Sequence, residues 1–231
     1  MQFSLVSILV LVFSVVVHEV AHGWSALRLG DTTARDHGRL TLNPISHIDP
    51  VGSILVPVIL AFSGGFMYGW AKPVPVRVGR LDNPRNDHPK VAAAGPLSNL
   101  LLALLSAVLL GLTFLAGRLF LGPAFYVGLA SHPALDFLTE LLGTAISINV
   151  VLAMFNLVPL PPMDGSWIVT RFLSPAARVR YENLRRYGML LPVAFILLVR
   201  YTPLGAVFTP FIMVPVHALA NLALAIGRLG L

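Results

Sequence analysis

The sequence predicts an all-α polytopic membrane protein of about five to six transmembrane helices, with a short membrane-associated β or re-entrant segment after the first helix. Three observations predict it. Of 231 residues, 56% are hydrophobic and only 11% are charged, against a soluble average of roughly 25% charged. Mean hydropathy is +0.81. The apolar residues are also gathered into long runs, and a soluble domain of this size could not hide them.

The runs follow in order. Residues 3–27, 92–117, 134–158, 187–201 and 205–227 read as spanning helices, the fourth being short for a span of ~20 residues. Residues 1–17 carry no basic leader and no clear cleavage site, so they read as part of a first span and not a removable signal. A sixth run, 51–63, stops at Gly64-Gly65. Its length suits a re-entrant or buried segment better than a crossing. Around it, 31–90 is mixed. Arg39-Leu40-Thr41-Leu42 alternates and Lys72-Pro73-Val74-Pro75-Val76-Arg77-Val78 is punctuated by proline, which reads as short strands or extended segments. Residues 174–186 are polar and Arg-rich, a surface loop or short helix. With no internal repeat, the chain reads as one domain, 1–231, with a core over 1–172 and accessory C-terminal helices over 187–227.

The net charge of +6 would suggest nucleic acid in a soluble protein. Here the basic residues lie between apolar runs. They read as topological signals and contacts to an anionic lipid bilayer, with no nucleic-acid partner. The absence of cysteine excludes disulfides and thiolate ligands. Trp24, Tyr68, Trp70 and Trp167 read as interfacial anchors.

Chemistry is concentrated at His18-Glu19-Val20-Ala21-His22, near the end of the first run. On a helix, positions i and i+4 share a face, so both imidazoles reach one ion while Glu19 flanks it. With 7 His in the chain, chance supplies only about 0.003 such motifs. Two His and a Glu inside a span are costly unless they function. A catalytic zinc site takes a third protein ligand. Asp164 and His217 are the leading candidates, followed by His47 and Asp49. His37, His88 and His132 read as loop residues. Asn99 reads as a hydrogen-bonding residue between helices, and Gly95-Pro96 as a helix start and a point of close approach.

Three elements resemble the site-2 protease family of intramembrane zinc metalloproteases: the His18–Gly23 segment, Gly95-Pro96-Leu97-Ser98-Asn99 opening the next long helix, and Asn156–Gly165. With residues 43–53 and 69–76 the resemblance covers about residues 10–172, in the compact branch without PDZ or CBS domains. It implies that His18, His22 and Asp164 bind one zinc ion, that Glu19 is the catalytic base, and that Asn156 holds the substrate carbonyl. The implied activity is hydrolysis of peptide bonds in membrane-embedded protein substrates. A transporter or channel with a His/Asp-lined ion path is the alternative. Ser166-Trp167 departs from the second glycine that many members carry, which would narrow the way in.

Topology bears on the ligand set. Asp164 meets His18 and His22 only if the first span and span 134–158 run in the same direction and 92–117 runs opposite. Segment 28–91 then begins and ends on one side, and 51–63 makes no net crossing. Of 16 Lys and Arg, all but Arg118 and Arg200 then fall on the metal side, 14 against 2. The positive-inside rule gives a multi-pass cell-membrane protein with its N-terminus outside and its zinc site toward the cytoplasm.

Overall fold

In a computed structural model, described for residues 5–55, 70–122 and 132–229, four helices are long and apolar enough to cross a membrane: α1 (Leu5–Arg28), α2 (Pro84–Leu121), α3 (Pro133–Asn156) and, last in the chain, α7 (Leu204–Gly227). Between α3 and α7 stand three shorter helices, α4 (Asp164–Thr170), α5 (Pro175–Glu182) and α6 (Leu190–Tyr201). At 12 residues, α6 is too short to span. The expected fourth span is therefore a partial helix.

The second helix begins earlier than the apolar run implies. Asn83 accepts a hydrogen bond from the Asn86 N–H and Pro84 occupies the first helical position, a start that needs no apolar residues. Gly95-Pro96 therefore lies inside α2, not at its opening.

α1 and α2 are antiparallel. The Ser14 carbonyl accepts from Asn99, His22 bonds the Val91 carbonyl, and beyond the helices the Asp82 N–H donates to the Leu29 carbonyl at 2.9 Å. α3 returns along α2. Ala107, Leu110 and Phe114 pack on Leu142 and Ile146, joined by Ala223 of α7. The C-terminal half of α7 thus belongs to the central cluster. Gly111 of α2 lies against Ala223 and Ile226. The other end of α7 meets the end of α3 through ring contacts, Phe208 on Phe195 and Phe195 on Phe155. α7 therefore runs in the same direction as α2.

Among the described residues of the connection from α1 to α2 there is no strand. Pro50–Leu55 forms a π-helical turn. Residues 56–69, most of the expected re-entrant segment and Tyr68 with it, lie outside the described residues. The connection is held by polar anchors. Asp31, fully buried, accepts from the Thr33 hydroxyl and N–H and from the Arg77 N–H at 2.6 Å. Burial alone would raise its pKa. The Thr33 and Arg77 hydrogen bonds and the charge of Arg80 outweigh this and hold it below the usual carboxylate value.

Candidate metal centre

Helical spacing places His18 and His22 one turn apart on the face of α1 that meets α2. Their rings pack edge-on at 4.7 Å. Each ring is fixed through Nδ1: His18 lies 2.6 Å from Asn99 Oδ1, and His22 lies 2.7 Å from the Val91 carbonyl. Both partners are acceptors, so both Nδ1 atoms carry the proton and both Nε2 lone pairs point away from α2's anchors.

Asp164 opens α4 and brings Oδ2 to the same point, 3.1 Å from His18 Nε2 and 3.4 Å from His22 Nε2. The two Nε2 atoms are 3.1 Å apart. Ligands on a tetrahedral zinc at ~2.0–2.1 Å stand about 3.3 Å from one another. The observed triangle is therefore one face of such a tetrahedron, and the residues fit the ion. Among the described residues these three form the only group of His, Asp or Glu arranged to hold a metal. A cavity of about 300 Å³ opens on them, lined also by Glu19, Val74, His88, Asn156 and Trp167.

Glu19 flanks the triangle, with Oε2 accepting the Val74 N–H at 2.9 Å. Asn156 closes α3, bonds back to the Leu152 carbonyl through Nδ2, and lines the same cavity. The leading rival, His217, sits exposed on α7, away from the cavity. His47 is buried but bonds the Thr41 carbonyl. Asp49 accepts from the Val51 and Gly52 N–H groups, as a turn residue does. His88 is helical, not in a loop, and lies on the cavity wall. Trp167 is beside it, ring centroids 4.2 Å apart, with the Arg185 guanidinium 3.2 Å over its ring. Trp167 thus forms part of the cavity wall.

Sequence reading misses three participants. Asn149, nearly fully buried, accepts from Asn99 Nδ2 at 2.9 Å. The Val91 carbonyl and the Val74 N–H are main-chain groups that residue identity does not mark. The one signal at hand was the intramembrane asparagine pair, each residue being costly without a partner.

The model of peptidase family M50 matches residues 6–199. A Bacillus subtilis protein named "Putative zinc metalloprotease YwhC" is 40% identical over 199 residues, covering 86% of this chain and 81% of that protein. Rip2 of Mycolicibacterium smegmatis, named in the same way, is 30% identical over 190 residues, covering 80% of this chain and 63% of its own length. No solved structure gives a match.

Proposed function

The chain belongs to peptidase family M50 and is an intramembrane zinc metalloprotease, and we propose that His18, His22 and Asp164 hold its single ion while Glu19 and Asn156 act on the peptide bond. The observation that carries this is the triangle of Nε2, Nε2 and Oδ2 with sides of 3.1–3.4 Å.

Bound there, zinc supplies a Lewis acid that brings the pKa of a water toward ~7. Glu19 lies beside the triangle without joining it. It takes the proton of the attacking water and returns it to the departing amine nitrogen. Asn156 Nδ2 donates to the scissile carbonyl oxygen as negative charge grows there. Asn99 and the Val91 carbonyl keep both imidazoles in one tautomer. The substrate is a membrane-embedded protein segment that enters sideways from lipid and unwinds locally beside the cavity. A His/Asp-lined ion path is not favoured, because the family is a peptidase family and the relatives carry zinc metalloprotease names.

The membrane orientation is part of the same reading. The Leu29–Asp82 main-chain bond supports a connection that starts and finishes on the metal side, so that 51–63 makes no net crossing. The direction of α7 exchanges Arg200 and Arg228 between sides, leaving Arg118 and Arg228 opposite and the balance still 14 to 2. The positive-inside rule then puts the metal end in the cytoplasm and the N-terminus outside. The chain is read as a single domain over 1–231, in which α7 is part of the packed bundle.

The test is metal content beside cleavage in detergent-purified protein. Wild type and Glu19→Gln should carry about one zinc per chain, with cleavage only in wild type. Asp164→Ala should lose zinc and cleavage together, and His217→Ala should lose neither. Zinc lost from Glu19→Gln, or retained in full by Asp164→Ala, would overturn the roles.

A further inference from the structure

The segment from Lys72 to Val78 looks by composition like a strand edge, yet its main chain is largely committed. The Lys72 N–H donates to the His47 carbonyl at 2.9 Å. The Lys72 and Pro73 carbonyls accept from Arg39 Nη2 at 3.0 and 3.4 Å. The Arg77 N–H goes to Asp31. Pro73 and Pro75 have no N–H to give. Between the two prolines stands the Val74 N–H, and it is spent on Glu19 Oε2 at 2.9 Å. A strand offering its ladder to a substrate would leave such groups open.

We propose that the Val74 amide is a positioning group for Glu19, and that Lys72–Val78 is a strap built to aim it. This rests on Glu19 as the proton carrier and adds what orients that carboxylate. One oxygen is pinned by the strap, and the other is left for the proton in transit.

The local sequence explains why the aim is kept. Pro73 and Pro75 fix their own φ near ~−65°, and Pro75 restricts Val74 to extended backbone. The amide is therefore held with little conformational freedom to lose. The Val74 side chain is buried and seats the strap on α1 at Gly23. A Cβ at Gly23 would stand 2.7 Å from Val74 Cγ1 and 2.6 Å from Leu40 Cδ2. Gly23 is four residues after Glu19, on the same helix face. The glycine that follows the metal motif thus lets the strap lie close enough for its amide to reach the carboxylate. The strap's nearness to the cavity, where Pro73, Val74 and Val76 form part of the wall, follows from the same seating.

Two measurements test this. The first compares Val74→Ala, which keeps the N–H and trims packing, with Val74→Pro, which keeps an extended backbone and deletes the N–H. Loss of a hydrogen bond to a charged group predicts kcat about 10-fold or more lower in Val74→Pro than in Val74→Ala. KM and zinc content should stay matched between the two. The second needs no activity. The stretch 73–76 holds only two exchangeable amides, Val74 and Val76, so hydrogen exchange there is nearly site-specific. In zinc-free protein, Glu19→Ala should speed one of the two. Equal or faster turnover in Val74→Pro would overturn the proposal, and would mark the contact as one that a substrate must break. Unchanged exchange in Glu19→Ala would overturn it too. A Glu19→Gln enzyme that still cleaves would instead sink the functional reading and leave the exchange result standing.

Discussion

Nδ1 of His18 lies 2.6 Å from Oδ1 of Asn99, and this one buried amide joins three helices to the metal site. Asn99 has no solvent exposure. Its Nδ2 reaches Asn149 on α3 and the Ser14 carbonyl on α1. The acceptor oxygen dictates that His18 donates from Nδ1, which leaves the Nε2 lone pair for the proposed zinc ion. Asn99→Leu should weaken zinc binding by about 10–100-fold, the usual effect of losing a ligand's outer partner. Asn99→Asp keeps the acceptor and should hold zinc more tightly than Asn99→Leu. Chelator competition measures both, and a Leu variant that binds as wild type would remove Asn99 from the site.

Gly95 permits the approach on which that contact depends. A Cβ there would stand 2.4 Å from His22 Nε2 and 2.6 Å from His18 Nε2, at the place where the two ring nitrogens converge. In an ordinary helix interior, Gly→Ala stabilises by roughly 0.5–1 kcal/mol. At Gly95 the added methyl should instead empty the metal site. A folded Gly95→Ala protein with little zinc is the expected result, read by metal content and thermal unfolding of the same preparation. Full zinc occupancy would contradict the packing.

Asp31 should make stability depend on acid. Its folded pKa is lowered, with burial opposed and outweighed by the Thr33 and Arg77 hydrogen bonds and the Arg80 charge. A depressed carboxylate adds stability that is fully present above the unfolded pKa of ~3.9 and is lost as pH falls through the folded value. Unfolding temperature should therefore drop below about pH 4 more steeply in wild type than in Asp31→Asn. Removing the side chain altogether, Asp31→Ala, should cost ~1–3 kcal/mol at neutral pH, because the buried Thr33 donors and the Arg77 N–H lose their acceptor. Parallel acid profiles for wild type and Asp31→Asn would show that the anchor carries no linked proton.

Much of this arrangement was legible because intramembrane chemistry is sparse. His18, Glu19 and His22 stand out in a run that otherwise contains almost nothing ionisable, and Asp164 stands out at a helix end for the same reason. The start of α2 was hidden. Residues 84–90 are mostly polar and extend the helix past the apolar run, so hydropathy does not register them, while the signals that do mark the start are the Asn83 cap and Pro84. The strap was hidden differently. Lys72–Val78 reads as a short strand or extended segment, but its Lys72, Val74 and Arg77 N–H groups go to His47, Glu19 and Asp31, and its Lys72 and Pro73 carbonyls to Arg39. Only coordinates reveal where main-chain groups go.

Cysteines at Arg35, Arg85 and Arg228 should separate the sides of the membrane, since the chain has no cysteine of its own. The first two should be labelled by an impermeant thiol reagent from the cytoplasm and the third from outside. Labelling of Arg35 and Arg85 from opposite faces would require 51–63 to cross. Cytoplasmic labelling at Arg228 would reverse the assigned direction of α7.

Trp167 should set which side chains fit beside the scissile bond. It stands three residues after Asp164 on the same short helix, so its ring is held at a fixed offset from the metal triangle. His88 packs on it, Arg185 covers it, and Arg185 also donates to the neighbouring Ser166 at 3.0 Å. A ring braced in this way is a rigid wall and not a movable anchor, and a rigid wall discriminates by size. A methylene that fits or clashes in an apolar pocket changes kcat/KM by about 10–200-fold. Trp167→Ala should therefore raise kcat/KM for substrates with Phe or Leu next to the cleaved bond by at least ~10-fold relative to Ala. Zinc content should be unchanged, because Asp164 keeps its place at the start of α4. A substrate series varied at the residues flanking the bond measures the ratio directly. If wild type and Trp167→Ala rank the series alike, the wall does not face the substrate, and the His88–Trp167–Arg185 stack serves only to brace α4.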